Sequence, residues 1–100
     1  MRVRDDQQPG VGTTRTRRSF PAGDTLPGFP EAYKTRAKTP RSGGGRRSRW
    51  KTEDGRIIER DYLHDTVEVY DSSGRRHFGD FDPWDGRQVG ASNPTRSVEP

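Results

Sequence analysis

Two short runs after Trp50 alternate apolar with polar residues, and that alternation limits the fold more than any other feature. RIIERDYL (56–63) is rich in β-branched and aromatic residues, and TVEVYD (66–71) repeats with period two. Such runs are strands with one buried face. Turn signals separate them: TEDG (52–55), SSGR (72–75) around Gly74, and DPWDG (82–86). RHFGDF (76–81) reads as a third strand with Gly79 as a candidate bulge, and RQVG (87–90) as a short fourth. Successive strands joined by short turns imply an antiparallel meander. One face of such a sheet can be solvated. The composition demands it, because only 24% of the residues are hydrophobic and 34% are charged.

The first half reads differently. Residues 1–26 have no periodicity and are expected to be a disordered arm or linker, leaving 27–100 as the folded domain. EAYKTRAK (31–38), with Pro30 before it, is expected to form a short helix that needs packing to persist. Gly43, Gly44 and Gly45 make a flexible joint before Arg46, Arg47, Arg49 and Trp50. The fold class is therefore mostly β, a small α+β arrangement. It combines an antiparallel sheet of short strands, a short N-terminal helix and a disordered arm.

With 100 residues the chain can make one small domain, and without cysteine it has no disulfide or thiolate chemistry. It has no apolar run long enough to insert in a membrane, and no metal-ligand spacing around His64 or His77. Charge is uneven: residues 1–50 carry 12 Lys/Arg and 4 Asp/Glu, whereas residues 51–100 carry 7 and 11. An arginine-rich half suits phosphate contacts. Charge alone leaves nucleic-acid binding and a merely solubilising arm equally open.

DYLHDTVEVY (61–70) holds the candidate chemistry. A hairpin turning at His64–Asp65 would set Asp61 opposite Glu68 and Glu59 opposite Tyr70. Tyr62, Val67 and Val69 would then line the packed face. Opposed carboxylates repel, and at least one pKa rises. Such a carboxylate beside an imidazole is a workable acid–base pair. A solvated face balanced by Arg60, Arg75 or Arg76 is the plainer alternative. A metal-free acid–base pair in a basic protein suits RNA cleavage through the ribose 2′-OH, with an arginine stabilising charge on the phosphate.

PGFP, KTPRSGGGRRSRW, GRIIERDYLHDTVEVYDSSGRRHFGDFDPWDGRQ and NPTR occur in order between Pro27 and Arg96. This ordered set resembles the cytotoxic ribonuclease domain of cloacin and the ribosome-inactivating E-group colicins. The resemblance implies a bacteriocin or polymorphic-toxin endoribonuclease that cleaves small-subunit (16S) ribosomal RNA at the decoding centre, without cofactor or metal. It implies secretion or delivery into the cytoplasm of a target bacterium. The implied partners are the ribosome and a small acidic immunity protein, with the domain itself monomeric. Asp61, His64, Glu68 and Arg96 match the family's catalytic residues. Glu68 would then be general base and His64 general acid, or the reverse. Asp61 would orient His64, and Arg96 would stabilise the transition state. Arg46, Arg47 and Arg49 are implied phosphate contacts, and Tyr70 either stacks on a base or packs across the strands. Where that family carries an acid, this chain has Thr66. Two other readings stay open: a non-catalytic RNA- or ribosome-binding module, and a structural β-domain whose tail binds an acidic partner.

Overall fold

The computed structural model describes residues 19–100. Six strands form one antiparallel sheet in chain order. They are β1 (Tyr33–Thr35), β2 (Arg49–Lys51), β3 (Ile57–Asp61), β4 (Thr66–Tyr70), β5 (His77–Phe81) and β6 (Gln88–Gly90). The meander read from the alternation is thus present, extended by two strands on its N-terminal side.

No helix forms among the described residues. The helix expected over 31–38 is replaced by β1, which pairs Tyr33 with Lys51, Lys34 with Trp50 and Thr35 with Arg49. Eight residues cannot support a helix without a packed face. Pairing with β2 gives the same backbone groups partners instead. Residues 1–18 of the expected arm lie outside the described residues. Residues 19–26 belong to the packed domain: Leu26 is buried and Phe20 packs on the core. The Trp50 indole N–H donates to the Asp24 carbonyl at 2.8 Å, which ties this segment to β2.

Strand periodicity then sorts the side chains. One face carries Trp50, Ile58, Val67 and Val69, which cluster with Leu26 and are flanked by Phe20, Phe29, Ala32, Phe78 and Phe81. The opposite face is polar, yet also buried. Across it the register aligns Arg49 with Glu59, Glu59 with Glu68, and Glu68 with Asp80. Arg49, Glu59 and Glu68 are each at most 1% exposed.

The β3–β4 register differs by two residues from the expected one. Asp61 pairs with Thr66, and Glu59, not Asp61, stands opposite Glu68. The reason is local. The Asp61 side chain accepts the Leu63 and His64 N–H groups at 2.9 and 3.2 Å, and the Asp61 carbonyl accepts the Asp65 N–H at 2.8 Å. These bonds pull residues 62–65 into a four-residue loop, with Asp65 at φ 55°. A slip of two keeps every side chain on its face.

Glu59 is neutralised where it stands. Arg49 Nε and Nη2 donate to its Oε2 at 2.9 and 2.6 Å, and Thr39 Oγ1 donates at 2.6 Å. Removing one partner of such a buried pair leaves an uncompensated charge. Arg49→Met is therefore expected to destabilise the domain by about 3–5 kcal/mol. Arg49→Met combined with Glu59→Leu should recover most of that loss, as read by urea unfolding.

Candidate active site

The loop that displaced the register also builds the first half of the site. Asp61, anchored by two backbone N–H groups, places its Oδ2 2.9 Å from His64 Nδ1. Burial works to raise the Asp61 pKa, but the hydrogen bonds from the His64 ring and from the His64 and Leu63 N–H groups outweigh it and hold it below the ordinary value. An ionised Asp61 requires the proton on Nδ1. Nε2 is thereby left to exchange protons with a substrate, and the His64 side chain is 58% exposed to meet one.

The second half centres on Glu68, which lies on the buried polar face of β4. Its Oε1 is 2.6 Å from His77 Nε2, and its Oε2 accepts from Arg96 Nη1 at 3.1 Å. Burial, hydrogen bonding with Asp80 and repulsion from Asp80 push its pKa up to about 8, against the opposing charge of Arg96. Asp61 contributes in the same direction. A carboxyl that titrates there exchanges protons near neutral pH. Burial works to lower the Arg96 pKa, but the neighbouring Tyr70 and Glu68 raise it, so the guanidinium stays charged.

Arg96 arrives from the C-terminal segment. That segment is held by Val98 N–H donating to the Gly74 carbonyl at 2.7 Å and Arg96 N–H to the Asn93 carbonyl at 3.1 Å. Gly74 permits the first contact, since a Cβ there would lie 2.2 Å from the Val98 carbonyl oxygen. The same segment fixes His77, whose Nδ1 accepts the Asn93 N–H at 2.9 Å. Nε2 must then carry the proton and donate to Glu68. Burial, followed by the charge of Arg96, lowers the His77 pKa and keeps the ring neutral.

Glu68, His77 and Asp80 bring potential ligand atoms within 4.8 Å of one another. The set does not suit a divalent cation, because the His77 nitrogen that faces it is protonated and Glu68 is already paired with Arg96. Its chemistry is that of a proton-holding cluster.

The four candidate catalytic residues thus form two directly bonded pairs, Asp61–His64 and Glu68–Arg96. His77 was missed as a site residue. Its only signal was a place on β5, and its side chain reaches Glu68 through a register shift between Val69 and Tyr70 that pairs Tyr70 with His77. One candidate RNA contact is corrected. Arg49 is buried against Glu59 and cannot meet a phosphate. Tyr70 is 1% exposed, with its ring centroid 5.1 Å from that of His77, so its ring packs across the strands beside Glu68. Arg46 is exposed, and Arg47 is half-buried with its Nη1 donating to the Arg60 carbonyl at 3.3 Å.

Comparison with known proteins agrees with this arrangement. The family described as Cytotoxic matches residues 20–99. The chain belongs to the Cytotoxic family. It is 40% identical over 79 residues to colicin E3 of Escherichia coli, an alignment covering 77% of this chain and 13% of that protein. Colicin-E6 of Escherichia coli is 36% identical, covering 79% of this chain and 15% of the relative. Cloacin of Escherichia coli is 37% identical, covering 79% and 14%. The chain therefore spans about one-seventh of the length of these relatives. The resemblance read from the ordered motifs is shown, and the Cytotoxic match begins at Phe20, which packs on the core.

The raised Glu68 pKa has a consequence for stability. Between pH 4.5 and about 8 the folded chain binds a proton at Glu68 that the unfolded chain releases. Unfolding free energy attributable to Glu68 is then full below pH 4.5 and is lost as pH rises through about 8. Chemical denaturation across that window should show stability falling with pH, and Glu68→Gln should flatten the slope.

Proposed function

We propose that this chain is the catalytic domain of a bacterial toxin, an endoribonuclease that cleaves small-subunit ribosomal RNA and halts translation. The observation that carries this reading is a buried Glu68 with a pKa of about 8, bonded to Arg96 and His77 on the same polar face as the Asp61–His64 pair. Ionised Glu68 takes the proton of a ribose 2′-OH. The 2′ oxygen attacks the adjacent phosphorus, and the bond to the 5′ oxygen breaks. His64 Nε2–H gives its proton to that leaving oxygen. The products are a 2′,3′-cyclic phosphate and a free 5′-hydroxyl. Arg96 stabilises the charge that builds on the phosphate oxygens. No step needs a metal, and DNA is resistant because it lacks the attacking hydroxyl.

Membership of the Cytotoxic family and the likeness to colicin E3, colicin-E6 and cloacin support a secreted or delivered toxin. Its target is the ribosome in the cytoplasm of a susceptible bacterium, at the decoding centre. A small acidic immunity protein protects the producing cell. The domain acts as a monomer. None of the described residues forms a helix long and apolar enough to cross a membrane.

The test is direct. Wild type, His64→Ala and Glu68→Gln are expressed in a bacterium without immunity protein, and the small-subunit RNA is probed for a cut. Wild type should cut it, and each variant should be slower by about a hundredfold or more. Cleavage of an isolated small-subunit RNA fragment should persist in chelator. Equal cutting by wild type and His64→Ala would refute the assignment. Intact RNA with salt-sensitive ribosome binding would point to a non-catalytic binding module instead.

A further inference from the structure

On the face of the sheet that carries Trp50 stands a column of rings and guanidinium groups that the cleavage chemistry does not use. Trp50 is its buried end, with the Phe20 ring centroid 6.1 Å away. The Arg60 guanidinium lies 4.2 Å from the Phe20 centroid and 4.3 Å from that of Tyr62. The Arg41 guanidinium lies 3.6 Å from the Tyr62 centroid. Exposure rises along the column: Trp50 is buried, Phe20, Arg60 and Tyr62 are half-buried, and Arg41 is exposed.

Each inner member is fixed. The Tyr62 hydroxyl accepts the Ser48 N–H at 3.2 Å and shares a second bond with Ser48 Oγ at 3.2 Å. Arg60 Nη2 donates to Asp65 Oδ1 at 3.1 Å. Arg41 is different. Among the described residues its side chain has no acidic partner, and its guanidinium rests on the Tyr62 ring. The glycine loop holds its backbone, with Arg41 N–H donating to the Gly45 carbonyl at 2.9 Å.

This contact is not needed to anchor residues 39–47. Thr39 already bonds Glu59, Arg47 already bonds the Arg60 carbonyl, and Pro40 bridges Arg46. What remains, among the described residues, is a flat, exposed cation without an acidic partner, backed by an aromatic ring. Tyr62 follows Asp61 directly and precedes His64 by two residues in the loop that carries the proton donor. Single-stranded RNA bases stack on aromatic rings and on arginine planes, while arginine charge attracts the phosphates between them.

We propose that Arg41 and Tyr62 form a nucleobase subsite, which stacks one unpaired base of the bound RNA at the loop that also carries His64. It deepens the ribonuclease reading and rests on it for the identity of the ligand as RNA. Arg41 supplies the stacking plane. Tyr62, held by Ser48 and Arg60, sets its tilt.

The test measures binding apart from cleavage. A ten-nucleotide 2′-O-methyl oligoadenylate cannot be cleaved, and an abasic 2′-O-methyl ribose-phosphate chain of equal length has the same charge without bases. Fluorescence anisotropy at fixed salt should show the native chain preferring the oligoadenylate by about tenfold. Arg41→Lys keeps the charge and removes the plane, so it should abolish most of that preference while binding the abasic chain like the native protein. Tyr62→Leu should also lose the preference, with its fold checked by circular dichroism. Equal binding of both probes by the native chain, or an undiminished preference in Arg41→Lys, would overturn the subsite even if the RNA is cleaved. A preference lost in Arg41→Lys by a chain that cuts no RNA would keep the subsite and sink the catalytic reading.

Discussion

The ladder forces Glu59 and Glu68 to face each other on a buried surface, and the rest of the molecule is arranged around that conflict. Two carboxylates directly opposite are unfavourable even on an exposed sheet. Here both lie out of water, where unpaired charge is far more costly. The chain resolves the two differently. Glu59 is given to Arg49 and Thr39 and becomes structural. Glu68 receives one arginine contact and one neutral imidazole, and its proton affinity rises.

That asymmetry explains why distant segments converge on β4. The glycine loop region brings Thr39 to Glu59, so the N-terminal basic segment helps settle the structural carboxylate. The C-terminal segment supplies Arg96 and, through the Asn93 N–H, the tautomer of His77. The Asp61 turn sets the register and orients His64 with one side chain, because its two oxygens serve the backbone and the ring respectively. Fold and chemistry share these contacts, so changes in the turn act on both.

The sequence made some of this plain and hid the rest. Alternation in 56–63 and 66–71 and the turns around Gly74 and Pro83 disclosed the strands that became β3 to β6, and which face each residue takes. β1 and β2 escaped because three-residue strands such as YKT and RWK have no readable period, and EAYKTRAK suits a helix by local propensity. The exact register escaped because Asp61 caps a turn with its side chain, and no count of alternating residues detects that. Asp61, His64, Glu68 and Arg96 came from matching motifs. Residue type alone did not separate Arg49 from Arg46 and Arg47, since one basic run supplies both a buried ion pair and an exposed cation. His77 stayed unseen because its role arises from a register shift on β5 and a backbone N–H sixteen residues later.

The central claim is that Glu68 is a buried carboxyl whose proton affinity the surrounding groups have raised into the neutral range. Carbon-13 NMR of the carboxyl carbons, with Glu68 assigned by comparison with Glu68→Gln, measures this directly. The expected titration midpoint is about 8 in the intact domain. A midpoint at about 4–5, as for an ordinary glutamate, would contradict it.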